Sequence, residues 1–66
     1  MAEYCVNKYG KHEVHKVANC DYLPEKMNRE TFFANTDKEA MERAKTLYAN
    51  ADGCGHCMLA YNKNKT

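Results

Sequence analysis

The chain has 66 residues, 44% of them hydrophobic, and a formal net charge of +1, which allows one small domain. No apolar stretch approaches the ~20 residues of a membrane span, and the N-terminus lacks the basic and apolar segments of a signal peptide. Ten Lys and Arg balance nine Asp and Glu, so the charge does not predict a dedicated nucleic-acid binder. We expect a cytoplasmic, monomeric protein.

The inventory of strong core-forming residues is small. The hydrophobic residues include five Tyr and four Cys, and there is no Trp. A domain of this size buries only about 60% of its unfolded surface, and ordering costs roughly 1.5 kcal/mol per residue. Small domains in this position add disulfides, a metal or a partner subunit. The four Cys and three His are therefore the first candidates for a stabilising site.

Residues 3–17 are predicted to form two short strands around a turn. Tyr4 and Val6 alternate with their neighbours in the first strand. Gly10 can adopt the positive φ that the turn requires. One face of this hairpin would carry Tyr4, Val6 and Val14.

Residues 18–29 are predicted to be irregular, because the residue before Pro24 is pushed out of the helical region. A third short strand is predicted for residues 30–34. Phe32 and Phe33 would point to opposite faces of this strand. One ring would reach the core, and the other would cover the hairpin or stay partly exposed.

The clearest element is a helix from about Asp37 to about Asn50. Thr36 and Glu39 form a Thr-x-x-Glu capping box, and Gly53 supplies a stop beyond the helix. Apolar residues at helical spacing form one face, which would pack over the sheet. These are Ala40, Met41, Ala44, Leu47, Tyr48 and Ala51.

Cys54 and Cys57 form a Cys-x-x-Cys pair. Two intervening residues let both sulfurs point into one tetrahedral site, and Gly55 allows the tight turn that aims backbone N–H groups at them. His15 and Cys20, five residues apart, can complete a Cys3His set typical of a closed structural zinc site. The metal ligands would be His15, Cys20, Cys54 and Cys57, holding one Zn²⁺ between the hairpin end and the segment after the helix.

Several alternatives stay open. His12 or His56 could replace His15 as a ligand, and Cys5 could replace one of the other cysteines, although a lone strand Cys is more often a small buried residue. The four Cys could form two disulfides, with three possible connectivities. The Cys-x-x-Cys pair could be a redox dithiol, but that chemistry requires its first Cys at a helix N-terminus after a strand.

The order of these features resembles the metal-binding domain of the Ada DNA-repair protein. It is closer still to small Ada-like zinc domains found alone or at the ends of bacterial nucleases. The resemblance covers roughly residues 14–57 and rests on five features in sequence. These are His15-x4-Cys20, Leu23-Pro24, Phe32/Phe33, the Thr-x-x-Glu-Ala helix start at Thr36 and Cys54-x-x-Cys57.

The resemblance implies a small bacterial domain with one zinc, whose first ligand pair is His15 and Cys20 and whose second is Cys54 and Cys57. The Ada protein has Cys at the position of His15, and that Cys accepts a methyl group from DNA phosphotriesters. An imidazole cannot replace the thiolate in this reaction. The segment before the second pair also lacks the Arg-Pro common in DNA-repair members. The resemblance therefore implies fold and metal, and leaves DNA binding open.

The sequence thus predicts an α+β fold: a zinc-stabilised β-hairpin and short third strand packed against one main α-helix. Residues 1–61 would form a single Ada-like domain, and residues 62–66 a flexible tail. The leading function is a structural zinc module without catalysis or small-molecule substrate, because four protein ligands leave no position for a catalytic water. Its surface would serve an unknown protein or nucleic-acid partner.

Two other functions compete with the structural module. In DNA or RNA binding, lysines would contact phosphates and tyrosines would stack on bases. The candidates are Lys8, Lys11, Lys16, Lys63 and Lys65, with Tyr9 and Tyr61. The third function is thiol redox chemistry, in which Cys54 and Cys57 cycle between dithiol and disulfide.

Overall fold

A four-stranded mixed sheet and one α-helix make up the part of the chain that the computed structural model describes, residues 1–62. The α+β class is therefore as predicted. The elements in chain order are β1 (Ala2–Asn7), β2 (Glu13–Lys16), a first 3-10 helix (Lys26–Asn28), β3 (Arg29–Ala34), α1 (Asp37–Leu47), β4 (Asp52–Gly53) and a second 3-10 helix (Leu59–Tyr61). The strand order is β3-β1-β2-β4.

The predicted hairpin and third strand are confirmed. β1 pairs antiparallel with β2 and with β3, and Gly10 adopts a φ of 75° in the turn. In β3, Phe32 packs against the core, stacking on the Tyr4 ring with a centroid distance of 6.0 Å. Phe33 lies on the opposite face and is 54% exposed. The two rings divide between core and solvent as the alternation predicts.

The helix begins as predicted and ends earlier. Thr36 Oγ1 accepts a hydrogen bond from Glu39 N at 3.1 Å. The predicted end at Asn50 is wrong, because Tyr48 already adopts an extended conformation (φ −137°, ψ 109°). Its ring stacks on His12 of the hairpin at a centroid distance of 3.9 Å. Leu47 was assigned to the buried face but is 50% exposed.

The fourth strand was not predicted. β4 runs parallel to β2, and the pairing holds the segment after the helix beside the hairpin. Asp52 N donates to His12 O, and Cys54 N donates to Val14 O, both at 2.9 Å. A Cβ atom on Gly53 would lie 2.6 Å from Met58 O. Only glycine fits this strand position without a shift of the backbone.

The two faces of the sheet carry different side chains, and only one of the faces packs against α1. One face packs Tyr4, Val6 and Val14 against the buried positions of α1. Asp37 holds the start of the helix against this face. Its Oδ1 accepts a hydrogen bond from Tyr4 Oη at 2.6 Å, and its Oδ2 lies 2.9 Å from Lys16 Nζ. The alternate residues of β1 and β2 face the other side, because successive strand residues point in opposite directions. These residues are Cys5, Asn7 and His15.

The predicted flexible tail spans residues 62–66, of which 63–66 lie outside the described residues. Asn62 is described, and its Nδ2 donates to Gly53 O at 2.8 Å. Within residues 1–62, no helix combines the length and apolar character that a bilayer crossing requires.

Candidate metal centre

Four side chains from three separate segments converge on the sheet face opposite α1. His15 lies in β2, Cys20 in the loop that follows, and Cys54 and Cys57 come directly after β4. One ligand atom from each residue lies within 4.8 Å of all the others. The structure therefore brings together the four residues predicted from the sequence, and the cluster could hold one metal ion.

Two separations between ligand atoms match the edges of a tetrahedral site. With bonds of ~2.3 Å to sulfur and ~2.0 Å to nitrogen, a tetrahedron has S···S edges of about 3.8 Å and S···N edges of about 3.5 Å. The Cys20 and Cys54 sulfurs are 3.7 Å apart, and Cys20 Sγ is 3.6 Å from His15 Nδ1. Both distances agree with the edges of a site for a single four-coordinate ion.

A hydrogen bond from β1 orients the histidine. Asn7 Oδ1 lies 2.9 Å from His15 Nε2. Because an amide oxygen only accepts, His15 carries its proton on Nε2, which leaves the Nδ1 lone pair facing the sulfurs. Metal-ligating histidines commonly have such a partner on the second ring nitrogen. The sequence alone gives no sign of this role for Asn7, since it depends on strand pairing.

Each of the three cysteine sulfurs in the cluster accepts a hydrogen bond from a backbone N–H group. N–H donors of this kind stabilise a thiolate by compensating its charge. In two cases the donor lies two residues after the cysteine, as in a tight turn, and in the third it comes from the end of β2. The bonds are Tyr22 N to Cys20 Sγ (3.4 Å), His56 N to Cys54 Sγ (3.4 Å) and Lys16 N to Cys57 Sγ (3.2 Å).

Burial shifts the pKa values of two members of the cluster, His15 and Cys57. His15 is 2% exposed, and desolvation, with smaller contributions from Arg29 and His56, lowers its pKa. The imidazole is therefore neutral at pH 7, which is the form that binds metal. Desolvation raises the pKa of Cys57 despite the backbone hydrogen bond from Lys16. A bound cation reverses this preference, because a coordinating thiol is deprotonated.

The two alternative histidines lie outside the cluster. His12 Nδ1 lies 2.7 Å from the carbonyl oxygen of Asn7, and its ring stacks on Tyr48. His56 is exposed and stacks on Tyr22 at a centroid distance of 3.8 Å. This second stack joins the loop after β2 to the Cys-x-x-Cys turn. The sequence alone gives no sign of this stack, because the two rings are 34 positions apart in the chain.

Cys5 lies next to the cluster without joining it. It is fully buried and directly opposite His15 in the β1–β2 register. Burial, opposed mainly by the charge of Arg29, raises its pKa to about 11. This thiol is protonated at neutral pH and has the character of a small buried hydrophobic residue.

The cysteine arrangement differs from those of a disulfide and of a redox dithiol. All four cysteines are free, and the 3.7 Å between Cys20 and Cys54 sulfurs far exceeds the ~2.05 Å of a disulfide bond. Cys54 follows a two-residue strand and precedes a turn and a three-residue 3-10 helix. The pair thus lacks the α-helix N-terminus that lowers thiol pKa in Cys-x-x-Cys oxidoreductases.

No protein-family model, curated protein or solved structure matches this chain. The Ada-like relationship therefore stays a prediction that rests on the order and spacing of residues in the sequence.

Proposed function

We propose that this protein is a structural zinc module. One Zn²⁺ bound by His15, Cys20, Cys54 and Cys57 stabilises the fold, and the outer surface serves a macromolecular partner. The observation that carries the proposal is the convergence of four ligand atoms within 4.8 Å of one another, with the two separations from Cys20 Sγ to His15 Nδ1 and Cys54 Sγ matching tetrahedral edges. A mixed thiolate–imidazole set of this kind is typical of zinc.

The position of the cluster explains why a metal would matter to stability. It joins the end of β2, the loop after it and the segment after β4. The β2–β4 pairing that links two of these segments involves only two residues of β4, Asp52 and Gly53. Zinc binding can contribute an apparent ~10–16 kcal/mol to the folding free energy of small domains. A contribution of this size would compensate for the small apolar burial of a core without Trp or Ile.

The proposal excludes catalysis at the metal and includes a cytoplasmic location. Four protein ligands fill a tetrahedral ion and leave no position for a reactive water. A reducing cytoplasm keeps cysteines available for metal, so we infer a cytoplasmic location. The Ada-like relationship belongs to this proposal and is supported by the two ligand pairs occurring in the Ada-like order.

Native mass spectrometry with and without EDTA tests the metal site. We expect one zinc ion per chain and loss of folded structure on chelation. Single substitutions of the four ligands should each abolish stoichiometric zinc binding. These are His15→Ala, Cys20→Ser, Cys54→Ser and Cys57→Ser.

Matched controls come from the neighbours of the cluster. Cys5→Ser changes a buried cysteine beside the site, and His12→Ala changes a histidine of the same hairpin. Both variants should retain one zinc per chain. Loss of zinc from Cys5→Ser, or a folded metal-free protein that cycles a Cys54–Cys57 disulfide, would contradict the structural-zinc proposal.

Nucleic-acid binding is a second candidate, supported by the tip of the hairpin. Tyr9 is 70% exposed between two exposed lysines, Lys8 and Lys11. Lys8 N and Tyr9 N donate to the backbone and side-chain oxygens of Asn28, which anchors the tip to the first 3-10 helix. An exposed aromatic ring between cations, on an anchored backbone, is suited to base stacking beside phosphates.

A salt titration tests this candidate. Binding to a single-stranded oligonucleotide should weaken steeply as salt rises and fall further in Tyr9→Ala. Leu59→Ala, at an equally exposed large side chain in the second 3-10 helix, is the control. Absent or salt-insensitive binding would remove nucleic acid as the partner.

A further inference from the structure

The outer edge of β3 is unpaired in the described part of the chain. β3 forms one border of the sheet, and β1 is its one neighbouring strand among the described residues. Natural edge strands are usually blunted by charges, proline or a bulge. Residues 31–34 of β3 contain neither charge nor proline, and all six β3 residues pair with β1 in unbroken register. The exposed Phe33 ring adds apolar surface beside this edge.

The hydrogen-bond alternation shows which backbone groups face outward. Lys8 N donates to Asn28 O at 3.0 Å, and these residues continue the register in which Asn7 faces Arg29. In an antiparallel pair, hydrogen-bonded and non-hydrogen-bonded positions alternate. Glu30, Phe32 and Ala34 therefore bond inward to β1. Arg29, Thr31 and Phe33 direct their backbone groups to the outer edge.

One of these outward groups already has a partner. Arg29 N donates to Lys26 O at the end of the first 3-10 helix. The edge thus offers the N–H groups of Thr31 and Phe33 and the carbonyl groups of Arg29, Thr31 and Phe33. A partner strand has to match two donors and three acceptors at alternate positions.

We propose that a second copy of this chain pairs antiparallel along this edge, with the two-fold axis at Thr31. Thr31 then faces Thr31 of the second copy, and Arg29 faces Phe33 of the second copy. Four hydrogen bonds form: two between the Thr31 residues, and two from Phe33 N–H to the Arg29 carbonyl. The pairing does not depend on the proposed zinc function, and it differs from the monomer expected from the sequence.

Self-complementarity is the reason to assign the edge to a second copy. With the axis at Thr31, both outward N–H groups that have no partner in β3 or the residues beside it, those of Thr31 and Phe33, meet a carbonyl acceptor. No like charges meet, because Arg29 faces the Phe33 ring and Glu30 faces Phe32. A guanidinium beside an aromatic face is a favourable cation–π arrangement, and the pairing would cover a ring that is now 54% exposed.

Sedimentation equilibrium of the folded full-length protein tests the proposal. The interface is one strand wide and small by the standards of stable dimers, so the dimer fraction should rise between about 10 μM and about 1 mM. Thr31→Lys places like charges opposite each other at the axis and should weaken the dimer about fivefold. Thr46→Lys, an equal charge change at an exposed threonine of α1, should leave it unchanged.

Nuclear Overhauser measurements on a mixture of labelled and unlabelled chains locate the interface. The register makes Glu30 and Phe32 of the second copy a non-hydrogen-bonded pair with Cα atoms about 4.5 Å apart. An intermolecular contact between their Hα protons is therefore expected. A monomer at every concentration, a dimer without this contact, or equal weakening by Thr31→Lys and Thr46→Lys would overturn the proposal. The first result would favour an extended segment of another protein at this edge.

Discussion

Asn7 Oδ1 accepts a hydrogen bond from His15 Nε2 at 2.9 Å, across the two strands of the hairpin. This contact links the register of the sheet to the chemistry of the candidate metal centre. Shifting the register by one residue would move Asn7 to the opposite face. The position of His15 Nδ1 in the cluster is thereby set by pairing between strands that are distant in sequence from the Cys-x-x-Cys turn.

Asn7→Ala should weaken zinc binding without abolishing it. Loss of the amide oxygen removes the acceptor that holds His15 in its metal-binding tautomer, and losses of this kind typically cost ~10–100-fold in affinity. Competition with a chromophoric chelator measures the change. Asn7→Asp retains an acceptor and should recover most of the affinity. Asn19→Ala, at an exposed asparagine, is the control, and an equal loss there would contradict a specific role for Asn7.

Gly53→Ala should destabilise the protein more than Gly10→Ala. The new Cβ at residue 53 would lie 2.6 Å from Met58 O and 2.9 Å from backbone and side-chain atoms of Tyr61, so the backbone after β4 must shift. Forced overpacking of this kind costs about 1–3 kcal/mol. At Gly10 no atom lies within 4 Å, and the cost is limited to the positive φ, roughly 1 kcal/mol.

Thermal unfolding of the zinc-loaded variants tests this order. Gly53→Ala should also lower zinc affinity, since residue 53 directly precedes Cys54. If Gly10→Ala proved the more destabilising change, the close approach of the second 3-10 helix to β4 would be wrong.

The contacts of Asp37 with Tyr4 and Lys16, which hold the start of α1 against the sheet, should weaken in acid. Burial alone would raise the pKa of Asp37. The hydrogen bond from the Tyr4 hydroxyl and the charge of the Lys16 ammonium lower this pKa by more than burial raises it, so the net pKa lies below its usual value. A carboxylate with a depressed folded-state pKa contributes stability above its unfolded pKa. That contribution is lost as the pH falls through the folded pKa. The loss is therefore expected below about pH 4.

Tyr4→Phe isolates one part of this effect. Without the hydroxyl donor, the pKa of Asp37 should rise, and the carboxyl signal of Asp37 in an NMR titration reports it directly. The pKa of Tyr4 itself is raised to about 12 by burial and by Asp37, so the hydroxyl stays protonated and able to donate throughout the titration. An unchanged Asp37 titration in Tyr4→Phe would show that Lys16 alone sets this pKa.

The features that sequence predicted well are those with local causes. The Thr36 N-cap, the Gly10 turn and the alternation in β3 each depend on a few adjacent residues; the Glu39 carboxylate accepts from Asn35 N, one residue before the N-cap. The four clustered residues were also found, because a Cys-x-x-Cys pair requires partners and the chain offers few. β4 was missed since two residues carry no periodic signal, and it exists only through its pairing with β2.

Tertiary contacts explain the other differences. The helix ends at Leu47 because Tyr48 leaves the helix to stack on His12, and the helical spacing of Tyr48 gives no sign of this contact. The Asn7–His15 hydrogen bond and the Tyr22–His56 stack also join residues that are not neighbours in sequence. Each could be anticipated only after the strand register was known.

Cobalt substitution should reveal the ligand set in solution. Co²⁺ bound in place of zinc by three thiolates and one imidazole is expected to show intense tetrahedral d–d bands, together with near-ultraviolet charge transfer from sulfur. Cys57→Ser should abolish this absorption together with stoichiometric metal binding, because Cys57 belongs to the cluster. Cys5→Ser should leave the spectrum unchanged, since this buried thiol lies outside it. A decrease of equal size in both variants would mean that Cys5 competes for the ion, and that the fully buried cysteine opposite His15 takes part in the site.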